Sequence, residues 1–126
     1  MIKSVREKEI QDFTIYNKIR DFNSYVRINI ANSIPSVYRD IRIHLLDECY
    51  SLASFLFGAT YNKGNVRLKY LNDMRIKLSL LDLLISDLRE YKIIKDKTLN
   101  VAISKLSVIK NIVYGWIVNE EKGKKQ

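Results

Sequence analysis

The sequence predicts an all-α fold, a single antiparallel up-and-down four-helix bundle over residues 1–126. Three observations predict it. Apolar residues recur at spacings of three and four along four stretches of similar length. The chain contains only 4 Gly and 1 Pro, too few turn formers for a sandwich of short strands. The sequence divides at three short weak points, around Pro35, at Asn62–Asn65 and at Lys92–Asp96, so connections are short and consecutive helices must run antiparallel.

The first helix is expected over about residues 7–31, with a buried seam of Ile15, Ile19, Phe22, Val26 and Ile30. It ends at Asn32-Ser33-Ile34-Pro35-Ser36, because Pro35 holds its predecessor in extended geometry. The second helix is expected over about residues 37–61, with Ile41, Leu45, Cys49, Leu52 and Leu56 as its seam. The turn-forming cluster Asn62-Lys63-Gly64-Asn65 closes it. The third, about residues 66–91, carries an unbroken a/d pattern of Leu71, Met74, Leu78, Leu81, Ile85 and Leu88. Lys92-Ile93-Ile94-Lys95-Asp96 separates it from the fourth, with Asp96 as the expected N-cap. The fourth helix, about residues 97–119, presents Leu99, Ala102, Leu106, Ile109, Val113 and Trp116. Gly115 is expected to admit a close helix approach beside Trp116, offsetting its helix penalty of about 1 kcal/mol relative to Ala. Residues 120–126 read as a frayed, basic tail.

One core does not use all the apolar residues. Ile43, Tyr50 and Phe57 on the second helix lie well away from its seam. Ile76, Leu80 and Leu83 on the third and Val101, Val108 and Ile112 on the fourth do the same. Apolar stripes of this kind predict an oligomer interface, because a monomeric bundle would leave them in water.

The formal net charge is +8, and it is uneven. Residues 1–32 carry +2, residues 33–62 carry −1, residues 63–92 carry +3 and residues 93–126 carry +4. A basic surface repeated around an oligomer predicts phosphate binding that is salt-dependent and weak in sequence preference. The candidate nucleic-acid contacts are Arg20, Arg27, Lys69, Arg75, Lys105 and Lys110. Some of the eight Tyr could stack unpaired bases, but most are expected at helix or subunit contacts.

Most site chemistry is excluded by residue counts. One Cys and one His cannot build the usual zinc sites or disulfide frameworks. No Gly-rich phosphate loop and no Glu-x-x-His pair occurs, so no cofactor and no metal are expected. Cys49 sits on a seam and reads as a small buried thiol. No uninterrupted apolar run reaches the roughly 18 residues of a membrane span, and the N-terminus lacks a signal-peptide core. A cytoplasmic protein without a membrane partner is the expectation. One catalytic pattern stands out: Arg39-Asp40-Ile41-Arg42-Ile43-His44 has the Arg-x4-His form and looks like the motif of HEPN-type ribonucleases. There a His moves the proton of a ribose 2′-OH while an Arg holds the phosphate. Here Ile43 and Leu45 flank the His, so a surface or interface role for His44 is the preferred reading.

Three segments carry a wider resemblance. They are Ser33-Ile34-Pro35, the run Leu68-Lys69-Tyr70-Leu71-Asn72-Asp73-Met74-Arg75-Ile76-Lys77-Leu78, and Tyr114-Gly115-Trp116-Ile117. With them, from about residue 10 onward, the chain resembles the accessory variability determinant (Avd) proteins of diversity-generating retroelements. It is similar also to the related four-helix proteins encoded in intervening sequences of large-subunit ribosomal RNA genes. The resemblance implies a non-catalytic partner of a retroelement reverse transcriptase, encoded by a bacterium, archaeon or phage. It implies a barrel-shaped homopentamer with a basic surface that binds the enzyme and its template RNA, with cDNA or an RNA–DNA hybrid as related ligands, and that supports mutagenic cDNA synthesis. A stand-alone, RNA-associated protein of the intervening-sequence type is the alternative, and a HEPN-like ribonuclease using Arg39 and His44 a more distant one.

Overall fold

The computed structural model describes the backbone of residues 2–124 and the side chains of residues 14–123. The described chain is all-helical, with four long helices: α1 (Ile2–Tyr25), α2 (Arg39–Thr60), α3 (Gly64–Glu90) and α4 (Asp96–Lys124). A π-helical turn, Val26–Ile30, extends α1, and short 3₁₀ turns at Ala31–Ser33 and Ser36–Tyr38 flank Pro35. The three predicted breaks fall between the four long helices.

Cross-helix contacts fix the topology. Tyr16 meets Phe57 and Arg27 meets Tyr50, so α1 and α2 run antiparallel. Lys77 pairs with Glu48 while Arg67 reaches Ala59, so α2 and α3 do the same. Lys110 pairs with Asp82 and Arg67 with Glu120 across α3 and α4. Lys105 pairs with Asp21 and Tyr25 reaches Thr98 across α1 and α4. Each helix thus packs on two neighbours, in the cyclic order α1, α2, α3, α4.

The core is made of the predicted seams. All of Ile15, Ile19, Phe22, Val26 and Ile30 are buried, as are Leu45, Cys49, Leu52 and Leu56, and all six α3 seam residues. Ile41 is only half-buried. On α4 the seam drifts: Ala102, Leu106, Ile109 and Val113 are buried, but Leu99 and Trp116 are half-buried and Ile117 takes the last core position. A strict a/d repeat lags a straight helix by about 20° per heptad, so toward the end of α4 Trp116 turns off the core direction and Ile117 lies nearer to it.

Two other expectations need correction. Gly115 has open space around it, and the close approach occurs at Gly58 instead, where an added Cβ would lie 2.5 Å from the Tyr70 ring. The tail from residue 120 onward is helical as far as Lys124. Glu120 accepts from the Gly64 backbone N–H at 3.1 Å and sits 3.9 Å from the Arg67 guanidinium, tying the end of α4 to the start of α3. Lys125 and Gln126 lie outside the described residues.

Local chemistry explains the turns. Gly64 adopts a positive φ of 61°, which costs Gly nothing. After α3, Lys92 occupies the left-handed region at φ 62°. The Ile93 N–H donates to Leu88 O and the Lys92 N–H to Arg89 O, the Schellman pattern that satisfies a helix end. Asp96 opens α4, and its carboxylate accepts from Arg89 across the turn. That hydrogen bond and the adjacent positive charge hold the Asp96 carboxyl below its usual range. Among the described helices α4 alone is long and apolar enough to cross a membrane. Its apolar seam is buried in the bundle, and Lys105 and Lys110 flank it, each paired to a carboxylate of a neighbouring helix.

Candidate functional site

Two surface clefts run along helix pairs on opposite edges of the bundle. The first, about 240 Å³, follows the α1/α2 groove and is lined by Arg20, Asn23, Ser24, Arg27, Leu46, Cys49 and Tyr50. The second, about 220 Å³, follows the α3/α4 groove and is lined by Arg75, Leu78, Ser79, Lys110, Asn111, Val113 and Tyr114.

The α1/α2 groove is built by helix register. Arg20 and Arg27 stand one heptad apart on the outer side of α1, while Phe22 and Val26 between them point into the core. Arg20 lies over the Tyr16 ring and Arg27 over the Tyr50 ring, each at 5.8 Å from the centroid. Arg27 also donates to the Tyr50 hydroxyl at 2.9 Å. Neither guanidinium has a carboxylate within 4 Å among the described residues. At the floor, Asn23 donates to Cys49 O at 3.2 Å, and its buried Oδ1 has no partner among the described residues. Burial pushes the Cys49 thiol up to about 12, against an opposing pull from Arg27, so it is a neutral packing group at neutral pH.

The six expected nucleic-acid contacts do not converge on one face. Arg20 and Arg27 share the α1/α2 groove, while Arg75 and Lys110 share the opposite one. Lys69 is exposed on α3. Lys105 lies between α1 and α4, 2.6 Å from Asp21 and over the Tyr25 ring. Lys110 is 2.8 Å from Asp82. Two of the six lysine and arginine charges are thus partly neutralised within the fold. The aromatic partners Tyr16 and Tyr50 were not connected with the arginines by sequence reasoning. The Tyr16/Arg20 spacing of four on α1 was the available signal.

The expected interface residues separate into two groups. Ile43, Tyr50, Phe57, Ile76, Leu83 and Val108 are exposed. Leu80, Val101 and Ile112 are half-buried, and Ile112 packs on the core. Ile76 and Leu83 stand out, at 66% and 57% exposed. Trp116 serves a different purpose: the Arg67 guanidinium lies 4.9 Å from its ring, in the latch that joins α2, α3 and α4. Arg39 and His44 are both exposed on α2, and neither lines either cleft. Among the described residues no group of three His, Cys, Asp or Glu side chains could hold a metal ion.

No protein-family model, curated protein or solved structure matches this chain.

Proposed function

We propose that this chain is a non-catalytic interaction protein that assembles with copies of itself and binds nucleic acid. The observation that carries the reading is the outer face of α3. Ile76 and Leu83 lie one heptad apart and largely exposed there, in line with Lys69. Large aliphatic side chains in water cost free energy that a subunit contact recovers, at about 25 cal/mol per Å² buried. The basic side chains without carboxylate partners supply the second half of the reading, since phosphate binding needs cations free of internal pairing. The resemblance to Avd proteins supports a more specific role: a pentameric barrel that binds a retroelement reverse transcriptase and its template RNA. Val108 on α4 and Ile43 on α2 would extend the contact surface.

The test is light scattering on wild type, Ile76→Asp and Leu83→Asp. A pentamer has a mass of about 74 kDa, five times the 14.8 kDa protomer. Wild type is expected at that mass, and each Asp variant is expected to lose it while keeping helical circular dichroism. A wild-type mass of one protomer refutes assembly, and global unfolding of the variants places these residues in the core instead.

A further inference from the structure

We infer that the α1/α2 groove is a binding site for single-stranded nucleic acid, in which Arg20 and Arg27 hold phosphates while exposed aromatic faces receive unpaired bases. The inference rests on the nucleic-acid half of the function proposed above and gives it a location and a strand preference.

Three independent features of the groove point the same way. The first is charge. Both arginines lack a carboxylate within 4 Å among the described residues, whereas Lys105 and Lys110 are held by Asp21 and Asp82. A guanidinium that is already paired must lose that partner before it can bind phosphate, so the free pair is the better anion site. The second is the aromatic lining. Tyr50 and Phe57 are 62% and 46% exposed, and Phe57 contacts Tyr16 with ring centroids 6.2 Å apart. Tyr50 lines the groove beside Arg27, and the Phe57–Tyr16 pair lies next to Arg20 just outside the lining, so aromatic faces flank the two cations. Bases stack on such rings and on guanidinium planes without regard to sequence. The third is backbone geometry. Arg27 sits in the π-helical turn, where the Ala31 N–H donates to Val26 O five residues back. Turns of this kind are uncommon and recur at binding sites, where the wider ring re-aims a side chain.

Scale fits a short strand. Arg20 and Arg27 are separated by about 10 Å along α1, from 1.5 Å per residue, so two guanidinia can hold two phosphates of one strand with bases laid between them. A duplex keeps its base faces stacked inside and cannot use Tyr50 or Phe57, so the lining selects unpaired nucleotides. The opposite groove lacks this arrangement: Asp82 holds Lys110, and of its two basic residues Arg75 alone has no carboxylate within 4 Å among the described residues.

The experiment is fluorescence anisotropy with a labelled single strand of about 20 nucleotides that cannot self-pair, and with the matching duplex. Wild type is expected to bind the single strand more tightly than the duplex. Arg20→Ala/Arg27→Ala is expected to weaken binding at least about tenfold and to flatten the plot of log K against log salt by about 1.4, from about 0.7 per phosphate contact on single strands. Tyr50→Leu is expected to weaken binding about tenfold with the salt slope unchanged, and Tyr50→Phe to retain it. Lys97→Ala, exposed on α4 and away from both grooves, serves as the surface control. Because these side chains are exposed, the variants should keep wild-type melting curves and oligomeric mass. If wild type binds the strand but the groove variants bind equally well, the site is wrong while the general function stands. Equal affinity for duplex and single strand overturns the stacking argument. Loss of oligomeric mass in Tyr50→Leu makes that residue a subunit contact and overturns the site. Failure of wild type to bind either nucleic acid refutes both proposals.

Discussion

Two glycines on helices allow the packing account to be tested with one type of substitution. Gly58→Ala and Gly115→Ala both replace a helical glycine, and each gains about 1 kcal/mol of helix propensity. The surroundings differ. Nothing lies within 4 Å of a Cβ placed on Gly115, so that gain is kept. A Cβ on Gly58 would lie 2.5, 2.6 and 2.7 Å from three atoms of the Tyr70 ring. Carbon atoms rest at about 3.5–4.0 Å, so the ring must retreat by about 1 Å. The ring is half-buried and packs on Phe55, with centroids 6.5 Å apart, which limits its escape. Overpacking of this kind costs about 1–3 kcal/mol, which exceeds or cancels the propensity gain. Gly115→Ala should therefore raise the melting temperature by about 4 °C, and Gly58→Ala should lower it by up to about 8 °C, at roughly 4 °C per kcal/mol for a chain of this size. Thermal melts followed by circular dichroism read both. In a Tyr70→Ala background the penalty at Gly58 should vanish and Gly58→Ala should become stabilising, a coupling that a double-mutant cycle measures. A Gly58→Ala variant as stable as Gly115→Ala with Tyr70 in place would refute the close approach.

Two further predictions concern buried polar groups. Lys77 Nζ lies 2.7 Å from the buried Glu48 carboxylate, pinning α2 to α3. Glu48→Ala should cost about 1–3 kcal/mol in denaturant unfolding by stranding Lys77, whereas Glu48→Leu with Lys77→Met should come close to neutral; an equal loss in both variants contradicts this. Cys49 has its thiol raised from 9.0 to about 12 by burial, so the folded state holds that proton more tightly than the unfolded one. Its contribution to stability is complete below about pH 9 and is lost as pH rises toward 12. Native protein should react with thiol reagents at pH 8 only as fast as it opens, and Cys49→Ala should flatten the alkaline fall in stability; rapid labelling of the native state contradicts the burial.

Much of the fold was legible because burial follows periodicity. A seam such as Leu71 to Leu88 declares its buried face directly, and Pro35 can only mark a break. What could not be read depends on which helices face each other. The 3.5-residue pattern ending at Trp116 hides the drift that places Ile117 in the core, and the capture of Trp116 by Arg67 joins residues far apart in sequence on two helices. The choice between Gly58 and Gly115 was invisible for the same reason, since Tyr70 comes from another helix. The positive φ at Lys92 lacks the Gly that normally announces it. The basic residues were legible individually but not as a site. Asp21 and Asp82 reach Lys105 and Lys110 from neighbouring helices, and only the folded order leaves Arg20 and Arg27 together without a carboxylate partner among the described residues.

The most direct test of the functional account is light scattering coupled to size-exclusion chromatography, on protein mixed with a single-stranded RNA. The account predicts one peak whose protein mass is a multiple of 14.8 kDa and whose absorbance shows bound RNA. A protein peak of one protomer, eluting apart from the RNA, would contradict it.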